Sequence, residues 1–381
     1  MGIFIDSLAV PAMLQERLDF PTRAQRALKI QEFQSVEGWQ GGAFEVDTAG
    51  VGMPGGTPPA GSPSPGFGPI SYRQDSCGFG ASDTISVQFA FRVDKLVNTP
   101  LLSGFPTLQL LDVGSFCGLR LGRVPFDASD PQDSLTYDIG FTTRGVSGQI
   151  SQFSYGKLRM LADEWYYVSA RFVIGAVGVG SVAIRIYDIS ETLLLEQTDS
   201  GIDTIGVSSG GSAQFVNFLL IPGISLDDVI IKTGGDAALD NPKVLFGLRP
   251  NAAGAANDWV PNNPSAPANL AVDDLNSLDD NWLTSTAADE TELYVPETPS
   301  DYISAASLID GLQTSLAGIS DQGFAVNLLY RNSDTSESLA GSPSALQAGG
   351  DAVSLFRQLD SAGAAWTRAK VLDSQFGYRR Q

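Results

Sequence analysis

The sequence of 381 residues contains no histidine. That removes Ser-His-Asp and Cys-His catalysis, histidine general bases and every metal site that relies on imidazole. Cysteine is almost absent as well, with only Cys77 and Cys117. Two cysteines make no disulfide framework and cannot close a structural zinc site. Two buried thiols are the expected state, with a Cys77–Cys117 bridge as the alternative. Long apolar runs are missing: none approaches the ~18 residues that a membrane-spanning helix requires. The first stretch, MGIFIDSLAVPAML, lacks the basic region of a secretory signal, and Asp6 stands where a myristoylation pattern wants Ser or Thr. Synthesis and assembly in a cytoplasm are therefore expected. Positive charge is scarce, with 23 Lys and Arg against 43 Asp and Glu and a net charge of −20. A nucleic-acid partner needs a basic footprint, so none is expected, and neither is a membrane. No cofactor is implied. The catalytic devices left open are a carboxylate pair or a lysine or tyrosine arrangement.

What the sequence has in abundance is alternation. Residues 163–188 read DEWYYVSARFVIGAVGVGSVAIRIYD. Tyr166, Val168, Ala170, Phe172 and Ile174 share one face of a strand, and Trp165, Tyr167, Ser169 and Arg171 share the other. After a Gly-rich turn, Val182, Ile184 and Ile186 oppose Ala183, Arg185 and Tyr187. Period-2 alternation with β-branched and aromatic residues predicts half-buried antiparallel strands. Similar stretches are TISVQFAFRVDKL, TLQLLDVG, FCGLRLGRV, LTYDIGFTTRG, LLLEQTDSG, QFVNFLLIPG and SLDDVIIKTGG. Many short strands with turn signals between them predict an all-β antiparallel jelly-roll sandwich over 83–240. An immunoglobulin-like domain is disfavoured, because the two cysteines lack the Cys…Trp…Cys arrangement.

Around this sandwich three other regions are distinguished. Residues 1–40 form a short N-terminal arm or docking segment, with helical spacing in which Leu28, Phe33, Val36 and Trp39 make one apolar stripe. The arm wraps either its own core or a neighbouring subunit. Residues 41–82 are a Gly/Pro-rich loop entering the first sheet, whose 41–71 portion has a composition that packs no core. Residues 241–381 are a C-terminal β-rich domain, a second and smaller β-sandwich. Within it KVLFGLRPNAAGAANDWVP reads as a strand and then a turn-rich loop ending at Trp259, DYISAASLIDGLQT reads as a short helix, and GFAVNLLYRN reads as a strand. No Lys or Arg occurs between Arg249 and Arg331, while acids collect in VDDLNSLDDNW and STAADETELY. A single-sign stretch of this kind reads first as a solvated face. The sharper alternative is a calcium site, with Asp273, Asp274, Asp279 and Asp280 as hard oxygen ligands, although the turn glycine and terminal Glu of an EF-hand loop are missing.

The order of FIDSL, VQFAFRV, DEWYYVSARFVI, VAIRIYD, SLDDVIIKTGG, VLFGLRPNAAGAANDWVP and GAAWTRAKVLDSQFGYR resembles a family of tailed-bacteriophage virion proteins with a concanavalin A/laminin-G-like jelly roll and a small β-rich C-terminal domain. The long 41–71 loop and the N-terminal helical segment depart from that pattern. The resemblance implies a part of a virion assembled in a host cytoplasm, with other virion proteins as partners and homo-oligomers as the usual form. It does not separate capsid decoration, minor capsid, neck, tail or fibre. Together with the lack of a recognisable catalytic set, it makes a non-enzymatic structural component, acting through protein–protein contacts, the leading expectation. The first alternative is a carbohydrate-binding adhesin for host attachment. Its contact face would be Tyr167, Arg171, Arg185 and Tyr187, which otherwise cover a solvated face with acids neutralising the arginines. A polysaccharide hydrolase or lyase is the least favoured, because the Glu-x-Asp-x-x-Glu spacing of jelly-roll glycosidases is absent and lyases of this shape commonly lean on histidine.

Overall fold

Alternation becomes pairing along most of the chain. The computed structural model describes residues 2–6, 33–37, 42–46, 68–73, 81–93, 107–114, 116–123, 136–144, 150–154, 158, 160–161, 164–205, 212–213, 215–220, 224–243, 245, 248, 250–262, 282–296, 309–318, 324–331, 337–345, 351–357 and 363–381. The chain divides into two compact units, the first ending at Leu245 and the second running over Phe246–Gln381. The first is an antiparallel jelly-roll sandwich and the second a smaller β-sandwich.

In the first unit the strands are Gly2–Asp6 (β1), Phe33–Glu37 (β2), Gly42–Val46 (β3), Gly68–Arg73 (β4), Thr84–Val93 (β5), Thr107–Val113 (β6), Cys117–Arg123 (β7), Thr136–Arg144 (β8), Ile150–Ser154 (β9), Met160–Leu161 (β10), Trp165–Val173 (β11), Gly180–Asp188 (β12), Leu193–Ile202 (β13), Phe215–Leu220 (β14) and Ile224–Thr233 (β15). The larger, eight-stranded sheet has the order β13-β12-β11-β5-β15-β3-β2, and β1 also pairs β15. The seven-stranded sheet has the order β10-β8-β7-β6-β14-β4, with β9 on β8.

Register fixes which side chains share a face. Phe172 stands opposite both Ile85 and Val182, and Val168 opposite both Phe89 and Ile186. These residues, with Val87, Phe91, Ile184, Leu226 and Ile231, are buried. Facing them from the smaller sheet are Tyr72, Leu111, Val113, Leu119, Phe141, Val216 and Phe218. The Phe89 and Phe218 rings meet edge-on at 4.9 Å, the geometry an aromatic quadrupole prefers. Each such side chain contributes about 1.5–3 kcal/mol by leaving water. Cys117 lies on this inner face as a free, buried thiol, and burial, with Asp112 adding, pushes its ionisation up. Cys77 lies outside the described residues.

The turn joining β11 to β12 is tied by Thr204, whose hydroxyl donates to the Val173 carbonyl at 2.7 Å and accepts from the Gly175 N–H at 2.9 Å. Gly180 has no room for a side chain, because a Cβ there would stand 2.4 Å from the Ile202 carbonyl oxygen.

The second unit contains Pro250–Asn257 (β16), Val260–Pro261 (β17), Leu283–Thr284 (β18), Thr291–Pro296 (β19), Leu312–Gly318 (β20), Ala325–Arg331 (β21), Glu337–Ala345 (β22), Asp351–Arg357 (β23), Arg368–Asp373 (α1) and Gln375–Arg380 (β24). A five-stranded sheet, β16-β19-β24-β21-β22, carries the β20–β23 ribbon and the β17–β18 hairpin. Leu316 of the ribbon packs on the Trp259–Tyr294–Val326–Leu328–Tyr378 cluster, and Leu312 on the Tyr330–Trp366–Val371 cluster. Helix α1 is capped by Thr367, whose side chain accepts from the Lys370 N–H at 3.3 Å, a hydroxyl N-cap.

Four local expectations are corrected. Phe33 and Val36, assigned to a helical stripe, lie in β2, which pairs β3. The two ends of the Gly/Pro-rich 41–71 stretch are β3 and β4 rather than loop. PNAAGAAN, read as turn because Gly, Ala and Asn are poor strand formers, is β16, held by β19. Of the expected helix over 301–314, Leu312–Thr314 belong to β20, and residues 301–308 lie outside the described residues. In each case pairing to a neighbouring strand overrides the local preference.

Candidate functional site

The outer face of the larger sheet collects the polar side chains that alternation pushes away from the core. In register, Ser86, Gln88, Ala90 and Arg92 of β5 stand opposite Arg171, Ser169, Tyr167 and Trp165 of β11. Across the next pairing, Ala183, Arg185 and Tyr187 of β12 face Arg171, Ser169 and Tyr167. Lys232 of β15 joins them opposite Ser86. The four residues expected to form a contact face, Tyr167, Arg171, Arg185 and Tyr187, are thus brought together on one surface.

That surface is not open to water. Residues 234–236 make a short 3-10 turn at the end of β15, and the chain then runs over the face as a strap. The Arg171 Nε donates to the Ala237 carbonyl at 2.9 Å. Arg185 donates from Nη1 to the Leu239 carbonyl at 3.4 Å and from Nε to Glu196 at 2.8 Å. The Ser169 hydroxyl accepts from the Asp240 N–H at 3.2 Å. Asp240 Oδ2 accepts from Gln88 Nε2 at 3.2 Å and also pairs with the Lys232 ammonium. The Tyr187 hydroxyl donates to Asn241 Oδ1 at 3.1 Å. Tyr167 donates to Gln88 Oε1 at 3.2 Å, and the Lys243 backbone N–H bonds its phenol oxygen. The strap's far end is held where the Leu245 N–H donates to Asp228 Oδ1 at 3.1 Å.

Burial and charge set the electrostatics here. Ser86, Gln88, Tyr167 and Ser169 are fully buried, and Trp165 and Tyr187 nearly so; Arg92 lies over the Trp165 ring, 5.4 Å from its centroid. Burial, with the charges of Asp228 and Asp240 adding, pushes the Tyr167 phenol well above the ordinary tyrosine range. Burial pulls the Asp240 carboxyl upward, but hydrogen bonds from Lys232 and Gln88 and the charges of Lys232 and Lys243 prevail and hold it below the ordinary value. Hydrogen bonding to Glu196 raises the Arg185 guanidinium, outweighing desolvation. Asp228 occupies the irregularity between Asp227 and Ile230 of β15 with φ of +51°, an αL position that Asp tolerates better than most residues. Its carboxyl is buried and pushed well up, first by desolvation and then by Asp227.

The second unit holds a different polar group. Glu292 of β19 is fully buried and its Oε2 accepts from the Trp259 N–H at 3.1 Å. The Trp259 ring meets Tyr378 edge-on at 4.7 Å, and the Tyr294 and Tyr378 hydroxyls lie 3.1 Å apart. Burial, opposed by the Trp259 hydrogen bond and assisted by Asp258, raises Glu292 to about 7.

Asp273, Asp274, Asp279 and Asp280, the candidate calcium ligands, lie outside the described residues. Among the described residues no cluster of three or more His, Cys, Asp or Glu is placed to hold a metal. Sequence reasoning missed Gln88, Lys232, Asp240 and Asn241. Gln88 and Lys232 were legible as outward positions of strands, whereas GGDAALDNPK has no periodicity and reads as a linker.

No protein-family profile and no curated protein matches the chain. Among solved structures it is similar to a marine PL-14 alginate lyase from Aplysia kurodai, at 11% identity over 54% of this chain and 88% of that one, with a TM-score of 0.32. It is similar to an endo-beta-1,4-glucuronan lyase from the fungus Trichoderma reesei, at 10% identity over 55% and 90%, with a TM-score of 0.33. The alginate lyase Aly36B matches at 8% identity over 62% and 98%, with a TM-score of 0.27. Likeness of this degree assigns no chemistry to the chain. These neighbours are polysaccharide lyases, not virion proteins, and the expectation of a non-enzymatic virion component, with no enzyme activity, is corrected on that finding. The flaw in that expectation was physical. It had left a lysine or tyrosine arrangement open but recognised none, because Tyr167, Tyr187 and Lys232 come together only through strand pairing.

Proposed function

We propose that the protein is a carbohydrate-active jelly roll that takes acidic polysaccharide at the outer face of its larger sheet. One observation carries the reading: Gln88, Tyr167, Arg171, Arg185, Tyr187 and Lys232 share one face, and each is held there by an oxygen acceptor. Two guanidiniums, an ammonium and an amide suit sugar carboxylates and hydroxyls, and tyrosine rings suit the apolar face of a pyranose. A pair of carboxylates flanking a glycosidic bond, which hydrolysis would need, is not among these groups. Elimination fits them better. Lys232 and the arginines would neutralise a uronate carboxylate and so acidify the carbon beside it. A base removes that carbon's proton, the electron pair forms a C=C bond, and the glycosidic oxygen leaves with a proton from an acid. Tyr167, a protonated phenol bonded to Gln88 Oε1, is the candidate for the acid. Tyr187, opposite it in register, would serve as the base only after passing on the proton it donates to Asn241 Oδ1.

Incubation with a panel of polyuronates tests this. Products with a new C=C bond, seen by ultraviolet absorbance and lost in Tyr187→Phe and Lys232→Ala, are expected. New reducing ends without the double bond would replace elimination by hydrolysis. The sequence resemblance to tailed-phage proteins supports a location on a particle, acting on host-surface glycan. Mass spectrometry of purified particles lacking the protein would remove that location.

A further inference from the structure

The strap over this face offers it the kinds of groups that an acidic glycan carries. Along 237–241 the groups that meet the sheet are mostly oxygens: the carbonyls of Ala237 and Leu239, the carboxylate of Asp240 and the side-chain oxygen of Asn241. They take up Arg171, Arg185, Gln88, Lys232 and Tyr187, the same groups that the proposed substrate would need. One backbone donor, the Asp240 N–H, goes to Ser169.

The strap itself is only partly buried. Of residues 237–243 only Ala237 is buried; Ala238 and Asn241 are exposed, and Leu239, Asp240, Pro242 and Lys243 are intermediate. No strand pairs with this stretch. Its attachment is therefore by polar contacts that a ligand's oxygens can replace one for one. Its apolar burial is complete only at Ala237. At its start, Gly234 has φ of +65° and is followed by Gly235, so the turn is formed by residues with wide backbone freedom. The Asp240–Lys232 pair sits at the accessible margin, with side-chain exposures of 26% and 18%.

We infer that residues 237–241 are a self-ligand, a built-in occupant of the carbohydrate face that an acidic glycan displaces by exchanging its carboxylate for that of Asp240. The inference rests on the carbohydrate reading above and adds its regulation. A tethered occupant competes at high effective concentration, and a face that is free only a fraction of the time binds with its affinity reduced by that fraction. Loosening the strap therefore tightens binding of the external ligand.

The test uses the full chain, with polygalacturonate and alginate oligosaccharides as acidic probes and dextran as the uncharged control. Binding is measured by calorimetry for wild type, Asp240→Ala and the isosteric Asp240→Asn, and hydrogen exchange is followed over 237–243 with and without probe. Expected are about tenfold tighter acidic-probe binding by the Asp240 variants and faster exchange of the strap when wild type is loaded. Asp240→Asn keeps the shape and the Gln88 contact, so it reports even if Asp240→Ala does not fold. Wild-type binding with unchanged strap exchange and unchanged variant affinity overturns the self-ligand and leaves the carbohydrate reading standing. No acidic-probe binding by wild type or either variant overturns the carbohydrate reading itself.

Discussion

The two units bury polar groups in opposite ways. In the first, a layer of charged and phenolic side chains is covered by a peptide that supplies acceptors to Arg171, Arg185, Lys232 and Tyr187. In the second, one carboxyl, Glu292, is covered by aromatic rings, and its Oε1 has no hydrogen-bond partner. A buried charge is tolerable when it is paired and hydrogen-bonded, and otherwise the group gives up its charge. The outer face of the first unit keeps its charges because Asp240 and the strap carbonyls neutralise or solvate them. The second keeps Glu292 by letting it hold a proton into the neutral range. One solution can be exchanged for an outside ligand; the other responds to pH.

The largest expected effect breaks the aromatic cover. Trp259→Ala removes a ring packed on Tyr378 and the indole N–H that donates to the Glu290 carbonyl, and should cost about 3–5 kcal/mol in denaturant unfolding, falling on the second unit. Next is Tyr167→Phe, which leaves Gln88 Oε1 and the Lys243 N–H without the phenol. It should cost about 1–3 kcal/mol as a loss of buried hydrogen bonds. A cost near zero would mean that the outer face is wetter than its burial indicates.

The pH response comes third. Because folding raises the Glu292 pKa from 4.5 to about 7, the folded state holds more proton than the unfolded state between those values. Stability is then fully present below pH ~4.5 and falls as pH rises through 7, with a slope of at most about 1.4 kcal/mol per pH unit. Glu292→Gln should flatten that slope while keeping an acceptor for the Trp259 N–H. A slope that persists in the variant would assign the response to another group. The smallest effect is at the rim. Arg185 and Glu196 are 29% and 48% exposed, so Arg185→Ala should lower stability by less than about 1 kcal/mol, measurable as a small shift in midpoint.

The alternation in 163–188 was sufficient to assign both faces of β11 and β12 residue by residue, because a period of two leaves no freedom once one face is dry. What lies on top of the outer face was not legible. The strap carries no hydrophobic pattern, and its turn-forming GGDAALDNP placed a domain boundary at 240, inside a segment that packs with the first unit up to Leu245. Arg171 was read as either a contact residue or part of a solvated face, whereas it is bonded to the Ala237 carbonyl. Glu292 was hidden for the opposite reason: it sits in an acid-rich stretch that reads as a solvated face. Its neighbour Glu290 obeys that reading, binding Ser285 and the N–H groups of Thr286 and Ala287 at an exposed turn. Two residues on, at Glu292, the same charge lies beneath Trp259, which only tertiary pairing reveals.

The pairing of β1 with β15 bears on how the protein is made. Phe4 faces Ile231, and Ile3 faces Lys232, so a strand that emerges early in synthesis has its partner nearly at the end of the unit. Contacts of such long sequence separation form slowly, since the loop entropy is lost before the contact rewards it. Until β15 leaves the ribosome, the GIFID segment is an unpaired, apolar strand, open to other edges. The strap follows β15 directly, so the face it covers and the first strand's docking are completed in the same late interval of synthesis.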